Sequence, residues 1–382
     1  MSVEIKNLKK VAQRILKAIK KKERIILYSD SDLDGTAALI VLKETIKNLG
    51  GNISAIYFPD RETEGYGITE KGLNFLKKFS PCLLISLDLG IGNFKEVKLA
   101  KKLKFEVIII DHHEILDKIP EAEIVVDPKQ EGDKYPFKEF ATVGIIFKLS
   151  EILLKDKMTD LMRRNFLELT AMATIADMMP QKEENKIFIE EGVKTLENSF
   201  RPGIKTFFEM DLFEDFPNFE RKLSKIISIL NVRDVEQGNP ASYRVLTSFS
   251  SEESGKIIKK LLEKNEFRRE GITNIVKEIE EGILLETSPI IFEGSCDWDF
   301  ALISAAASII CHRYQKSTFL FKKLEKESIG TIRASSGINS VTLMKKCSKY
   351  LLTYGGHPAA SGFRLKNENL EKFKECLIKQ LK

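Results

Sequence analysis

Three aspartates stand at alternating positions in the stretch IILYSDSDLDGTAAL: Asp30, Asp32 and Asp34. Carboxylates this close repel one another unless a positive charge lies between them. Alternating side chains at the end of an extended strand point the same way, so we expect Asp32 and Asp34 to face a shared cation. Gly35 would then let the chain turn into a helix that begins near Thr36. The alternative interpretation is a helix N-cap followed by turn residues.

Further carboxylates and imidazoles follow predicted strands or end a predicted helix. Asp88 follows CLLISL, a cluster of Asp111, His112 and His113 follows FEVIII, and Asp177 lies near the end of LTAMATIA. Taken singly, Asp88 and Asp177 are also explained as ordinary loop residues. A mixture of carboxylates and imidazoles suits Mn²⁺, Fe²⁺ or Zn²⁺ better than Ca²⁺. So many ligands predict two ions about 3.5–4 Å apart that clamp a phosphoryl group and activate water, which is the chemistry of phosphoester or phosphoanhydride hydrolysis.

The segments that must position these residues alternate between strands and helices. From Arg24 to Val126, short apolar runs such as RIILYS, ISAIYF and CLLISLD alternate with helical stretches. This alternation predicts a parallel sheet that is covered on both faces. Because ligands bind beyond the carboxyl ends of such strands, we expect the acidic clusters to meet at one edge of the sheet.

The rest of the chain predicts a helical part and a second, smaller domain. Residues 142–283 are almost wholly helical in pattern, and strands such as PIIFEG and STFLFKKL follow them. The expected fold class is α/β, with a parallel-sheet domain and helical extension joined by a long helix to a smaller α/β C-terminal domain. The expected ranges are a catalytic domain over 1–250 (core 20–130, helical part 140–250), a connecting helix over 251–284 and a C-terminal domain over 285–382.

Composition limits the class of protein. The 382 residues carry 61 Lys and Arg against 56 Asp and Glu, a net charge of +5, which permits a nucleic-acid partner without requiring one. No apolar run approaches a membrane span or a signal-peptide core, so we expect a soluble cytoplasmic protein with no membrane partner. We expect His312 to be a packed helix residue. We also expect the cysteines to be reduced and buried: Cys82, Cys296, Cys311, Cys347 and Cys376.

Four motifs in order resemble those of the DHH phosphoesterase superfamily: SDSDLDG, SLDLGIG, DHH after an apolar strand, and TIADMMP. Other segments are similar to those of the RecJ-like nucleases, including the archaeal RecJ homologues: VVDPKQEGDKYPFKEFATVGIIF, ENKIFIEEGVKTLENSFRPGIKTFFE and LEKNEFRREG. YGGHPAASGF resembles the glycine–histidine motif of the DHH-associated C-terminal domain. The resemblance covers nearly the whole chain.

The resemblance implies a metal-dependent hydrolase with two divalent ions, Mn²⁺ first and Mg²⁺ or Co²⁺ as alternatives. The implied ligands are Asp32, Asp34, Asp88, His112 and Asp177, with Asp88 bridging the two ions. Among the implied catalytic residues, Asp111 would orient an imidazole and His113 would face the scissile phosphate. Asp30 matches a further motif aspartate, and its direct contact with a metal is left open.

The resemblance also implies a set of substrate-binding residues in the C-terminal domain: Arg333, Ser335, Ser336, Gly355, Gly356 and His357. The arginine would help to hold nucleic acid, and the serines and the histidine would donate hydrogen bonds. Adjacent glycines let backbone N–H groups approach an anion closely. Without the DHH motifs, Gly-Gly-His would indicate a tight turn with a satisfied histidine.

The first functional hypothesis is an exonuclease on single-stranded DNA or RNA, with a role in DNA repair. A phosphodiesterase for very short oligonucleotides or cyclic dinucleotides is an alternative that the modest net charge favours. A scaffold in a DNA-replication complex, with replication or repair proteins as partners, is a third, although all the ligand positions are present. The chain departs from the bacterial RecJ pattern at CDWDFALIS, and 382 residues leave no room for the further OB domain of those proteins.

Overall fold

The computed structural model describes residues 4–61, 63–115, 118–211, 216–283 and 288–381. The chain divides into two compact units, Met1–Glu263 and Lys264–Lys382. The division falls within one long helix, Ser251–Ile283. The predicted connecting helix occupies this segment, and its last residue, 284, lies outside the described residues.

The first unit is built on a five-stranded parallel sheet, as predicted, with the order β2-β1-β3-β4-β5. The strands are β1 (Ile25–Ser29), β2 (Ile53–Tyr57), β3 (Cys82–Leu87), β4 (Phe105–Ile110) and β5 (Ile124–Val126). Every residue of β1 and β3 is buried. Such uninterrupted burial is typical of central strands that are covered on both faces.

Helices cover both faces of this sheet and leave its carboxyl edge to polar residues. The first five are α1 (Leu8–Lys20), α2 (Leu33–Asn48), α3 (Glu70–Leu76), α4 (Phe94–Lys102) and α5 (Thr142–Leu154). Ile25 and Leu27 of β1 pack in a core with α1, α2 and α5, whereas Ile26 and Tyr28 pack with α3 and α4. Burial of each such apolar side chain contributes ~1.5–3 kcal/mol, so both faces hold the strand in its register.

The remainder of the first unit is almost wholly helical, as the sequence predicts. Its helices are α6 (Asp160–Ala176), α7 (Glu183–Val193), α8 (Pro202–Glu209), α9 (Phe219–Leu230), α10 (Ala241–Leu246) and α11 (Ser251–Ile283). A small ribbon of β6 (Val235–Glu236) and β7 (Asn239–Pro240) was not predicted, because two residues show no alternation. Among the described residues, no helix is long and apolar enough to cross a membrane.

The second unit contains a mixed five-stranded sheet with the order β11-β12-β10-β9-β8, in which β8 and β9 alone are parallel. Its strands are β8 (Ile290–Ser295), β9 (Ser317–Lys323), β10 (Glu327–Arg333), β11 (Thr353–Gly356) and β12 (Ala360–Lys366). Its helices are α12 (Phe300–Tyr314), α13 (Ser340–Lys346) and α14 (Leu370–Leu381). The smaller α/β domain is therefore confirmed. The sequence did not predict β11 and β12, because the glycines in both strands weaken the strand signal.

Three expectations about side chains are wrong. Cys347, just after α13, and Cys376, in α14, form a disulfide, because folding brings together two positions that are 29 residues apart. Cys296 is exposed, since it follows the end of β8. His312 lies on α12 but is exposed, because it falls outside the buried stripe of that helix.

Candidate metal centre

The acidic residues predicted from the sequence meet at the carboxyl edge of the parallel sheet. Asp30, Asp88 and Asp111 are the first residues after β1, β3 and β4, and Asp177 follows the last residue of α6. The sheet continues one residue past β3, since the backbone N–H of Asp88 donates to the carbonyl oxygen of Ile110 at 3.0 Å. Asp88 has a φ of 60°, a left-handed conformation that aspartate tolerates better than most residues.

Asp32 and Asp34 do not extend the strand as we expected. α2 already begins at Leu33, and Asp32 is its N-cap, whose carboxylate accepts a hydrogen bond from the Gly35 backbone N–H at 3.1 Å. The N-cap interpretation is therefore correct for Asp32, whereas Asp34 lies inside the first helical turn. Gly35 does not form a turn either. A Cβ at this position would lie 2.5 Å from the carbonyl oxygen of Asp30, so glycine is what allows the helix to begin this close to the strand.

Asp34 also caps a second helix. Its Oδ2 accepts a hydrogen bond from the backbone N–H of Thr142 at 2.7 Å, and its Oδ1 accepts one from Val143 at 2.9 Å. The Thr142 hydroxyl donates to Oδ1 of Asp88 at 3.2 Å. The start of α5 favours nearby negative charge and holds two carboxylates side by side. Thr142 was not predicted as a site residue, although a threonine before an apolar helical run is a known signal of a helix start.

His112 is fully buried among three carboxylates. Its Nε2 lies 3.2 Å from Oδ1 of Asp88, 3.4 Å from Oδ2 of Asp177 and 3.7 Å from Oδ2 of Asp34. The structure therefore brings together four of the five residues that we predicted as metal ligands. The fifth, Asp32, lies at the rim, where its side chain is 37% exposed.

Asp111 and His113 form a pair beside this cluster. Oδ1 of Asp111 accepts hydrogen bonds from Nδ1 of His113 at 2.7 Å and from the backbone N–H of His112 at 2.8 Å. On the other side of the ring, Nε2 of His113 lies 3.1 Å from the hydroxyl of Tyr66, which donates to the carbonyl oxygen of Asp88 at 3.2 Å. Burial alone would lower the pKa of His113, but the Asp111 carboxylate outweighs it and raises the pKa to about 9. We did not predict Tyr66.

Asp30 is paired with Arg61, which was not predicted as a site residue either. Nε of Arg61 donates to Oδ1 of Asp30 at 2.9 Å, and Nη2 donates to Oδ2 of the same carboxylate. Nη2 also donates to Oδ2 of Asp32 at 3.1 Å. Asp30 thus has a protein cation as its partner. The position of Arg61 could have revealed it, because it follows β2 closely and therefore lies at the same edge of the sheet.

Burial and mutual repulsion raise the pKa of several carboxyl groups here. Burial first, and then the charge of Asp32, raises the pKa of Asp34 to about 7. Burial and the charge of Asp34 raise the pKa of Asp88 and of Asp177 well above the usual range. A bound cation would relieve this repulsion and favour the ionised carboxylates.

The side chains fit divalent cations. Within the first unit, possible ligand atoms lie within 4.8 Å of one another in three groups: Asp34, His112 and Asp177; Asp88, Asp111 and His113; and Asp30, Asp32 and Asp88. Oδ2 of Asp177 is buried and accepts no hydrogen bond from any described residue, as expected of an oxygen that a cation would satisfy. Carboxylate oxygens with imidazole nitrogen suit Mn²⁺ and related ions.

In the second unit, serine hydroxyls hold the half-buried Arg333. Its Nε donates to Oγ of Ser308 at 2.8 Å, and its Nη2 donates to Oγ of Ser304 at 2.5 Å. Nη1 donates to the carbonyl oxygen of Ile332 at 3.0 Å. Burial lowers the pKa of Arg333, and its hydrogen-bond acceptors within the described chain are all neutral. A guanidinium without an anionic partner suits an anionic ligand. Neither Ser304 nor Ser308 was predicted as a site residue.

The other predicted substrate residues lie in the same unit. Gly355 and Gly356 belong to β11 and pair with β12, so they are strand residues rather than a tight turn. His357 follows them in the hairpin between these strands. Ser335 is hydrogen-bonded to another serine hydroxyl at 3.0 Å, whereas Ser336 is exposed.

Comparison with known families agrees with this fold. The DHH family, N-terminal domain, matches residues 24–174, and the DHHA1 domain matches residues 287–382. The chain therefore belongs to the DHH superfamily. Several curated proteins and solved structures that are similar to the chain are named RecJ.

Three of these relatives are single-stranded-DNA-specific exonucleases named RecJ. The chain is 33% identical to that of Bacillus subtilis over 96% of this chain and 47% of the relative. It is 24% identical to that of Salmonella typhimurium over 94% of this chain and 66% of the relative. The protein of Thermus thermophilus is also 24% identical, over 97% of this chain and 54% of the relative. The chain thus spans about half to two thirds of the length of these relatives.

Two solved structures share the fold. Exonuclease RecJ bound to manganese has a TM-score of 0.78 at 23% identity, over 99% of this chain and 95% of that one. RecJ from Thermus thermophilus in complex with Mn²⁺ has a TM-score of 0.80 at 21% identity, over 99% of this chain and 55% of that one. At this level of sequence identity, the similarity shows that the chains share a fold.

Proposed function

We propose that this chain is a two-metal-dependent phosphodiesterase that acts as an exonuclease on single-stranded DNA or RNA. The observation that carries the proposal is the buried cluster in which His112 lies 3.2–3.7 Å from three carboxylates. Such a concentration of buried carboxylates is costly without cations. The relatives named as single-stranded-DNA-specific exonucleases support the substrate class.

Asp34, Asp88, His112 and Asp177 would hold the ions, and Asp32 would complete the set from the rim. Asp88 belongs to two groups of ligand atoms, so we assign it the bridging role. Bound divalent ions would polarise a phosphoryl oxygen and lower the pKa of water. Mn²⁺ is our first candidate, because similar structures contain it.

Other side chains of the site would orient and stabilise the substrate. Asp111 fixes the ring of His113 from one side, and the Tyr66 hydroxyl contacts it from the other. A positively charged His113 held in this way would stabilise negative charge that develops on the scissile phosphate. Asp30 would act indirectly, since it orients Arg61 at the rim of the site.

The second unit would hold the nucleic-acid backbone. Arg333 offers a half-buried positive charge whose hydrogen-bond acceptors among the described residues are all neutral oxygens. We assign the remaining phosphate contacts to residues around it and along the β11–β12 hairpin: Ser335, Ser336, Gly355, Gly356 and His357.

The test is hydrolysis of 5′- and 3′-labelled DNA and RNA, from dinucleotides to long oligomers, with Mn²⁺, Mg²⁺ or Co²⁺. We expect Asp88→Asn and His112→Ala to remove activity while the circular dichroism spectrum stays that of the parent. Asp156→Asn, at an exposed position, is the control. Full activity in both site variants would show that the metal assignment is wrong.

The same length series decides between the proposal and its alternatives. Progressive shortening of long oligomers supports an exonuclease and gives its polarity. Cleavage restricted to dinucleotides would instead indicate a phosphodiesterase for very short substrates. No cleavage at any length, with every metal, would favour the scaffold hypothesis.

A further inference from the structure

The edge of the parallel sheet opposite the metal centre is dense in lysines. β1 to β4 run in parallel register, with Ile25 paired to Ile53 and Leu83, and Cys82 paired to Phe105. The segments that precede these strands therefore lie along one edge. They carry nine exposed lysines, here called the amino-edge lysines: Lys20, Lys21, Lys22, Lys47, Lys77, Lys78, Lys101, Lys102 and Lys104.

Protein carboxylates do not balance this charge. Among the described residues, none of the amino-edge lysines forms an ion pair with a carboxylate, and the nearby Glu23 and Glu106 are both engaged by Arg14. The whole chain has a net charge of only +5, so the chain outside this edge is net acidic. Lysines at helix ends do stabilise helices, but one per helix would serve that purpose. β5 is preceded by Glu121 and Glu123, which end the basic surface.

An exposed aromatic side chain lies beside one of these lysines. Phe75, near the end of α3, is 55% exposed, and Nζ of Lys78 lies 4.4 Å from the centroid of its ring. Bases stack on exposed aromatic rings while neighbouring cations bind phosphates. Four strands spaced ~4.8 Å apart span ~15 Å, which several phosphates of one strand would cover. Lysines beside an exposed aromatic ring fit nucleic acid better than an acidic peptide, because carboxylates do not stack on the ring as bases do.

We propose that the amino-edge lysines and Phe75 form a second binding surface for the phosphate backbone of single-stranded nucleic acid. The central strands have five or six residues, which places this surface ~20 Å from the metal centre. Short oligonucleotides cannot contact both, so the surface acts on long strands. The inference goes beyond the proposed function, because binding here needs no hydrolysis.

The experiment measures binding of a long fluorescent oligothymidylate to the full chain in EDTA, by anisotropy over a range of salt concentrations. The test variant is Lys101→Gln with Lys102→Gln. The matched control is Lys155→Gln with Lys157→Gln, which changes the charge equally at exposed lysines elsewhere in the same unit. We expect the slope of log affinity against log salt to fall by ~1.4 in the test variant, since each phosphate contact contributes ~0.7. Phe75→Ala should weaken binding ~5-fold or more with the slope unchanged.

Several outcomes decide the proposal. Equal slopes for the test variant and the control would overturn it. Lysine-dependent binding of polyglutamate, without lysine-dependent binding of nucleic acid, would assign the surface to an acidic protein and also overturn it. Hydrolysis of dinucleotides should be the same in the test variant and the parent. If the parent hydrolyses nothing but binds the oligomer through these lysines, the proposed function fails while this inference stands.

Discussion

Substitution of Asp34 by asparagine should make the stability of the metal-free protein less sensitive to pH. Burial first, and then the charge of Asp32, raises the pKa of the Asp34 carboxyl from 3.8 to about 7. An acid with a raised pKa binds its proton more tightly in the folded state than in the unfolded state. The Asp34 carboxyl therefore stabilises the folded state at low pH, and the free energy of unfolding falls as the pH rises from about 4 through 7. An amide at this position removes that loss.

The raised pKa sets the size of the effect. The raised pKa corresponds to on the order of 4 kcal/mol at pH 8, where the folded carboxyl is ionised, and to less than half of that at pH 5. Asparagine has one acceptor oxygen, so it loses one of the two hydrogen bonds from the start of α5, a cost of ~1 kcal/mol. We therefore expect Asp34→Asn to be nearly neutral at pH 5 and to stabilise the metal-free protein by ~3 kcal/mol at pH 8.

Urea unfolding in EDTA at pH 5 and pH 8, followed by circular dichroism, measures this difference. Asp156→Asn is the control, because Asp156 is exposed and should change stability equally at both values. If Asp34→Asn also changes stability equally at pH 5 and pH 8, the reasoning about buried repulsion is refuted. Added Mn²⁺ at ~100 times its Kd should stabilise the parent by ~2.7 kcal/mol and the variant by less.

Three further predictions concern contacts within the first unit or within the second. Arg61→Gln leaves the buried Asp30 without its cation and should destabilise the metal-free protein. The expected loss is only ~1–2 kcal/mol, because the arginine is partly exposed. Thermal unfolding should then show a larger Mn²⁺-induced rise in Tm for the variant than for the parent. Gly35→Ala places a Cβ 2.5 Å from the carbonyl oxygen of Asp30 and should cost ~2 kcal/mol or more in urea unfolding. Gly282→Ala should cost nothing, because no other described side chain lies within 4 Å of a Cβ added there. Ser304→Ala removes a hydrogen bond to the Arg333 guanidinium and should raise the KM for oligonucleotides ~10-fold with kcat unchanged. Ser304→Thr should restore the parent KM. Ser348→Ala changes an exposed serine and should not change the KM.

The sequence predicts the sheet and the placement of most acidic residues well. Apolar runs define β1, β3 and β4, and the first residue after each run is Asp30, Asp88 or Asp111. Parallel strands end at a common edge, so the order of elements alone brings these side chains together.

Local conformation and distant contacts are predicted less well. Alternating aspartates suggest an extended chain, but the N-cap preference of Asp32 starts the helix earlier. The hydrogen bond between Asp34 and Thr142 joins positions 108 residues apart, and the disulfide between Cys347 and Cys376 joins positions 29 apart. No local pattern specifies such pairs, because tertiary packing decides which segments meet.

The left-handed backbone of Asp88 determines which residues would be favoured at this position in the absence of a metal requirement. Residues other than glycine lose ~1–2 kcal/mol in this conformation, and asparagine and aspartate tolerate it best. Glycine or asparagine at position 88 would suit the backbone at least as well as aspartate, and either would remove a buried carboxylate that its neighbours repel. A population selected for stability alone, without selection for metal-dependent activity, should therefore lose this aspartate early. Retention of Asp88 during laboratory evolution would indicate selection for a functional metal centre.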